Sequence, residues 1–195
     1  MSHLSLRTIR DEHAALAAML RSLSLMLGRG PGNEPDRFFD VLRAMLFYID
    51  EFPERLHHPK ESDLLFPKVL RVAPQVMPTV ERLEKDHMRG EGAVRELQHH
   101  LLAWELLGEP RRAAFETAAK DYVAFYLEHM QLEESVILPA AEKLLGDADW
   151  SELDAAFAGN RDPLTGNYPC EPLYDRLFTR IVMAAPEPIG LGPSV

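Results

Sequence analysis

The sequence predicts an all-α protein: an up-down-up-down antiparallel four-helix bundle with an added C-terminal helix and an extended tail. Four long segments carry apolar residues at the three- and four-residue spacing of an amphipathic helix, and short turns with glycine or proline separate them. Such short connections favour antiparallel neighbours. No strand pattern of period two occurs in the sequence. We expect the bundle over residues 1–146, and cap helices with a Pro- and Gly-containing tail over 147–195.

Composition narrows the possible partners. The chain of 195 residues has a net charge of −10, from 31 acidic and 21 basic residues, and no dense block of Lys and Arg. These features argue against nucleic acid as a partner. The single cysteine, Cys170, excludes an intrachain disulfide and a metal site built from cysteines. The start does not resemble a signal peptide and no apolar run approaches about 18 residues, so we expect a cytoplasmic protein without a membrane partner.

The first segment, residues 5–28, contains a histidine on its apolar face. His13 falls in register with Ile9, Leu16, Leu20, Leu23 and Leu27. It should therefore face the core. Taken alone, such a histidine is more often a structural residue that hydrogen-bonds to the backbone than a metal ligand.

The second segment begins after Asn33 and ends in a run of polar residues at inward positions. His57 and Glu61 are four residues apart, so their side chains are neighbours on a helix. Pro59 complicates this interpretation, because a proline bends a helix and restricts the residue before it. Regular helical geometry favours His57 with Glu61, whereas a break at Pro59 would turn His58 inward instead.

The third and fourth segments repeat the same spacing of histidine and glutamate. In residues 76–107, His87 and Glu91 interrupt an apolar face four residues apart. In residues 111–145, His129 and Glu133 do the same. Glu134 is the alternative to Glu133 if the helix is rotated.

Metal binding accounts for all of these residues together. Each of the four segments places a histidine on its core face, and three add a carboxylate four residues later. Charged groups are rarely buried unless they are paired or coordinate a metal. The candidate ligands are His13, His57, Glu61, His87, Glu91, His129 and Glu133.

The order of these residues resembles the hemerythrin-like, or HHE cation-binding, family over roughly residues 5–145. The stretch His-His-Pro-Lys-Glu followed by Leu-Leu-Phe-Pro, at 57–67, is especially similar. The resemblance implies a four-helix bundle around two iron ions, a non-haem di-iron centre that Glu61 and Glu133 bridge and the histidines complete. Imidazole and carboxylate ligands also suit zinc or manganese.

One residue departs from the pattern of the oxygen-carrying hemerythrins. They have a second histidine one turn after the first on the third helix, where this chain has Glu91. An anionic oxygen ligand favours ferric over ferrous iron, which disfavours reversible oxygen carriage and favours redox chemistry or sensing. It stays open whether Glu91 would bind iron directly or contact a ligand.

Two functions follow from this interpretation. The first is a di-iron protein that reacts with a small diatomic ligand or peroxide (O2, peroxide or NO) as a sensor, scavenger or weak oxidase. The alternative is a non-enzymatic iron-binding or regulatory protein whose metal state is read by a partner. Tyr122 and Tyr126, one and two turns before His129, are interpreted as core aromatic residues. A homo-oligomer is compatible with either function.

Overall fold

A computed structural model describes residues 3–166 and 172–192, and the described residues form helices, turns and short connections without any strand. The first long helix is α1, Leu4–Arg29. It ends at Gly30, whose φ of +67° is a conformation that glycine adopts without strain. The prediction of an all-α protein is confirmed for the described part of the chain.

The second long helix covers residues 35–72 as a series of α and π segments. Its parts follow one another without leaving helical backbone dihedrals. In chain order they are α2 (Pro35–Ile49), a π segment (Asp50–His57), α3 (His58–Lys60), a second π segment (Glu61–Leu65) and α4 (Phe66–Val72).

The third and fourth long helices agree closely with the predicted segments. A 3-10 turn, Pro74–Val76, leads into α5, Met77–Leu107, and a second 3-10 turn, Glu109–Arg111, follows Gly108. The fourth helix covers residues 112–144. Its parts are α6 (Arg112–Leu132), a third π segment (Glu133–Ile137) and α7 (Leu138–Leu144).

The core consists of two apolar clusters with polar residues between them. The first cluster includes Leu20, Met45, Leu101 and Phe115, and the second includes Leu6, Phe66, Leu83 and Ile137. One half of each long helix packs in the first cluster, and the other half packs in the second. The buried histidines and glutamates lie at the point where each helix passes from one cluster to the other.

The C-terminal region packs against the bundle through α8, Asp147–Phe157, close to the predicted helix over 150–158. Trp150, Leu153 and Phe157 are buried in the second cluster beside Leu6. The hydroxyl of Ser5 in α1 donates a hydrogen bond of 2.6 Å to Asp154. The last helix, α9, is Asp175–Ala184 and lies against α2.

The prediction of an extended tail is wrong for residues 185–192. The amide of Leu191 donates to the carbonyl of Val182 at 2.6 Å, so the chain turns back onto α9. The buried hydroxyl of Ser22 in α1 donates to the carbonyl of Pro186 at 2.8 Å and accepts from the amide of Ile189 at 3.1 Å. One distant side chain thus satisfies two backbone groups of the tail, which no local sequence pattern reveals.

Two further predictions from the sequence concern residues near the C-terminus and the absence of a membrane partner. Cys170 and the last residues, 193–195, lie outside the described residues. Among the helices that are described, none combines the length and the apolar character required to cross a lipid bilayer.

The packing of α8 on α1 can be tested with a buried and an exposed leucine. Leu153 is fully buried, whereas Leu106 is 71% exposed. We expect Leu153→Ala to lower the free energy of unfolding by about 2–5 kcal/mol, because it removes buried methyl groups and leaves a cavity. Leu106→Ala should change it by less than about 0.5 kcal/mol. Chemical denaturation of the full chain measures both, and equal effects would contradict the packing described.

Candidate metal centre

Seven buried side chains with atoms that could bind a metal form two adjoining groups. Both groups lie between the two apolar clusters. The atoms of each group lie within 4.8 Å of one another. Glu61 belongs to both groups. The first group, called here the α5 group, consists of His58, Glu61, His87 and His129; the second, the α1 group, consists of His13, His57, Glu61 and Glu133.

The two carboxylates lie between the groups. Glu61 places Oε1 2.7 Å from Nε2 of His57 and Oε2 3.4 Å from Nε2 of His87. Glu133 places Oε2 3.5 Å from Nε2 of His13 and 4.0 Å from Nε2 of His129. Each carboxylate therefore reaches histidines of both groups, which is the arrangement required to bridge two ions.

Several of these atoms are buried without a hydrogen bond. Both carboxylate oxygens of Glu61 and of Glu133, and Nε2 of His57, have no hydrogen-bond partner. A buried polar atom without a partner costs roughly 1–3 kcal/mol, and more when it is charged. Ligands at about 2.0–2.2 Å from one ion are separated by roughly 3 Å or more. The pairs given above are 2.7–4.0 Å apart. A cation at each group would satisfy the unpaired atoms.

The histidine rings are fixed from the outer side of the site. In all five rings Nδ1 faces another side chain, and Nε2 of His13, His57, His87 and His129 faces Glu61 or Glu133. Nδ1 forms a hydrogen bond with Glu134 in His13 (3.0 Å), with Glu12 in His57 (2.6 Å), with Glu54 in His58 (3.2 Å) and with Ser62 in His87 (3.0 Å). In His129 the carboxylate of Asp86 lies 3.7 Å from Nδ1, beyond hydrogen-bond distance. A ring that donates from Nδ1 presents an unprotonated Nε2, which is the form that binds a metal.

Without a metal, protons hold the α1 group together. Burial lowers the pKa of His13, but its contacts with the carboxylates of Glu133 and Glu134 outweigh the effect of burial and raise this pKa to about 9. Burial also lowers the pKa of His57, and the charge of Glu61 outweighs it, so this pKa is raised. A cation that binds here must displace these protons, so its affinity falls at low pH.

The α5 group has a different electrostatic character. Burial and the charge of His87 lower the pKa of His58 well below its usual value, and the pKa of His129 to about 3. These imidazoles are therefore neutral at physiological pH, as a metal ligand must be. Between the groups, burial and the charge of Glu61 raise the pKa of Glu133 to about 7. A cation between the two carboxylates would remove this repulsion.

Six of the seven residues that the sequence suggested are brought together. Both His57 and His58 belong to the site, one to each group, and Glu133 rather than Glu134 points into it. A π turn contains more residues than an α turn, so adjacent residues at its end can both face inward. His57 ends one π segment, and Glu61 and Glu133 begin the two others.

Glu91 lies outside both groups. Its side chain is 53% exposed and accepts a hydrogen bond of 2.7 Å from Arg95. The inward face of α5 runs from His87 to Gly90 and then to Val94, in steps of three and four residues. The sequence interpretation placed Glu91, four residues after His87, on the inward face. In the structure Gly90, three residues after His87, lies on that face instead.

Gly90 leaves room for a buried carboxylate that the sequence interpretation missed. Oε1 of Glu54 accepts hydrogen bonds from the hydroxyls of Tyr122 (3.0 Å) and Tyr126. Its other oxygen accepts a hydrogen bond from Nδ1 of His58 at 3.2 Å. Burial raises the pKa of Glu54 to about 7, although the tyrosine hydrogen bonds lower it. A glutamate four residues before His58 was a usable signal, because it has the same helical spacing as the other pairs.

A small cavity adjoins the site. Its volume is about 10 Å³, and His13, His57 and His58 form part of its wall together with apolar side chains such as Phe52 and Met130. Such a cavity has room for about one water molecule. A space of this size therefore lies beside the site.

These features define a helical protein built to hold cations between its four long helices. The family model described as Hemerythrin HHE cation binding domain matches residues 4–141. The chain belongs to this family. Among curated proteins, none matches the chain.

The space at Gly90 gives a prediction with a control on the same helix. A Cβ added at Gly90 would lie 1.8 Å from the hydroxyl of Tyr126 and 2.9 Å from Glu54, whereas a Cβ at Gly92 would meet no atom within 4 Å. We expect Gly90→Ala to lower the free energy of unfolding by about 1–3 kcal/mol, through overpacking. Gly92→Ala should raise it by up to about 1 kcal/mol, because alanine favours the helix. Denaturant titration of both variants measures this, and a stabilised Gly90→Ala variant would contradict the close contact.

Proposed function

We propose that the protein binds two iron ions in a carboxylate-bridged centre and reacts there with O2, peroxide or NO, as a sensor, scavenger or weak oxidase. The observation that carries the proposal is the position of Glu61, whose two oxygens face different groups of histidines. Five imidazoles and two carboxylates supply nitrogen and oxygen ligands that suit iron, and also zinc or manganese. The family match supports binding of a cation.

Each part of the site has a distinct task in this proposal. Bound iron would supply redox chemistry and an acidic position for a small ligand. Glu61 and Glu133 would hold the two ions at a fixed separation and balance part of their charge. The five Nδ1 partners would keep the rings oriented with Nε2 inward. The apolar side chains around the cavity would exclude larger molecules and bulk water.

The exposure of Glu91 removes the ground on which the sequence interpretation preferred redox chemistry to reversible oxygen carriage. In the structure five imidazoles and two carboxylates form the two groups. The carboxylates, Glu61 and Glu133, are the bridging pair that the resemblance already implies, so they do not separate the two kinds of chemistry. The proposal is therefore reaction with O2, peroxide or NO, without a preference against reversible binding of O2.

We further infer the up-down-up-down arrangement of the bundle. The first and third long helices begin in the cluster that contains Leu6 and Leu83 and end in the cluster that contains Leu20 and Leu101. The second and fourth long helices pass between the same clusters in the opposite direction. A bundle over 1–146 with a cap over 147–195, a cytoplasmic location and a possible homo-oligomer stay predictions from the sequence.

The proposal predicts the metal content and the spectrum of the protein. Protein purified without oxygen and supplied with Fe2+ should bind about two ions per chain, one for each group. Air or peroxide should then produce ligand-to-iron charge-transfer absorption in the near-ultraviolet and visible range. Elemental analysis and absorption spectroscopy measure these quantities. Two ions with a silent spectrum would favour the alternative, a regulatory protein whose metal state a partner reads; zinc alone would overturn the iron assignment.

The bridging role of Glu61 can be separated from the general effect of removing a glutamate. Glu61→Gln keeps the size of the side chain but cannot offer two anionic oxygens, so we expect the bound metal to fall from two ions to one or fewer. Glu91→Gln, on the exposed face of α5, should leave two ions bound. Titration of both variants with Fe2+ under nitrogen tests this. Retention of two tightly bound ions by Glu61→Gln would refute the bridge.

A further inference from the structure

We infer that Asn160, in the segment after α8, is a positioning residue of the metal centre that acts on His57 through Glu12. This inference rests on the proposed function for its consequence in metal binding. Asn160 lies beyond residues 4–141, the range that matches the family, yet only 2% of it is exposed. The C-terminal region thus helps to position a residue of the metal centre.

The chain of contacts runs inward from the C-terminal segment. Nδ2 of Asn160 donates a hydrogen bond of 3.0 Å to Oε2 of Glu12. The same oxygen of Glu12 accepts the Nδ1 hydrogen of His57 at 2.6 Å. Nε2 of His57 then faces Glu61 inside the site. Asn160 is thus two hydrogen bonds away from a metal ligand.

The orientation of the Asn160 amide is fixed from both sides. The ammonium group of Lys60 donates to Oδ1 of Asn160. Since a lysine can only donate and a carboxylate can only accept, the amide oxygen must face Lys60 and the amide nitrogen must face Glu12. An aspartate at this position would lack the donor that faces Glu12.

The backbone around Asn160 is anchored as well. The amide of Asn160 donates to the carbonyl of Phe157 at the end of α8. Two residues later, Asp162 accepts a hydrogen bond of 2.6 Å from Tyr48 in α2 and one of 2.8 Å from the amide of Leu164. The segment that carries Asn160 is therefore held against the bundle on both sides.

His57 differs in this respect from the other four rings. The Nδ1 partners of those rings are all within the residues that match the family, namely Glu54, Ser62, Asp86 and Glu134. For His57 the partner, Glu12, is itself held by a residue from outside that range. Loss of a residue that orients a metal-binding histidine typically weakens metal affinity by about 10- to 100-fold. Only the α1 group contains His57, so the effect should be confined to it.

The test compares three variants of the full chain. Asn160→Ala removes the amide, and Asn160→Asp keeps its size and its contact with Lys60 but removes the hydrogen-bond donor to Glu12. Asp154→Asn is the control, because Asp154 also lies beyond the range that matches the family but contacts Ser5 instead of Glu12. Co2+ affinities are measured by competition with a chelator. A parallel series in a His58→Ala background, which disables the α5 group, reports on the α1 group.

We expect both Asn160 variants to weaken one of two Co2+ dissociation constants by about 10- to 100-fold and to leave the other within about threefold. Asp154→Asn should leave both constants close to those of the unmodified chain. Unchanged constants for Asn160→Ala, or equal weakening of both together with loss of helical stability, would overturn the inference. Binding of fewer than two ions by the unmodified chain would instead overturn the proposed function.

The positioning role of Asn160 can also be tested in the metal-free protein. In 15N-histidine NMR spectra of the metal-free protein, the Nδ1 hydrogen of His57 should be protected from exchange with water by its 2.6 Å bond to Glu12. We expect Asn160→Ala to accelerate this exchange at least tenfold, while Asp154→Asn leaves it unchanged. Equal protection in the unmodified chain and in Asn160→Ala would refute the positioning role, whatever metal the protein binds.

Discussion

The carboxylate of Glu61 imposes the constraint on which the rest of the structure depends. It is fully buried, its two oxygens lack hydrogen bonds, and imidazoles of two groups surround it. A fold that buries such a group must supply positive charge, either as protons on His57 and His13 or as cations. The four long helices meet this requirement at one level, where each passes from one apolar cluster to the other.

Positive charge in the centre has to be matched by groups around it. Glu12, Glu54, Glu134, Asp86 and Ser62 face the outer nitrogens of the five rings. Hydrogen bonds with four of them hold the rings of His13, His57, His58 and His87 in one orientation and tautomer, so these rings are arranged before any ion arrives. The apolar clusters on both sides keep these polar contacts out of water, where they would be weaker. The centre and the core are therefore mutually dependent.

The π segments show how local backbone geometry serves the site. Prolines in the second long helix lack an amide hydrogen, and the helix near them is π rather than α. This geometry allows His57 and His58 to serve different groups, which a regular α-helix does not permit for adjacent residues. The C-terminal segment then supplies Asn160 from a distance of 148 residues along the chain from Glu12. A region outside the matched family range thus becomes part of the environment of the centre.

Helical periodicity in the sequence was enough to predict the all-α class, the bounds of the long helices and six of the residues that the structure brings together, because it records which residues face the core. It did not decide between His57 and His58, since that depends on π turns that the pattern does not encode. It misplaced Glu91, because steps of three and four residues both keep a side chain on one face, and only packing against Tyr126 selects Gly90. Glu54 was within reach of the same pattern, because His58 follows it by four residues. The tail, Glu12 and Asn160 required the tertiary structure, because their partners lie far away along the chain.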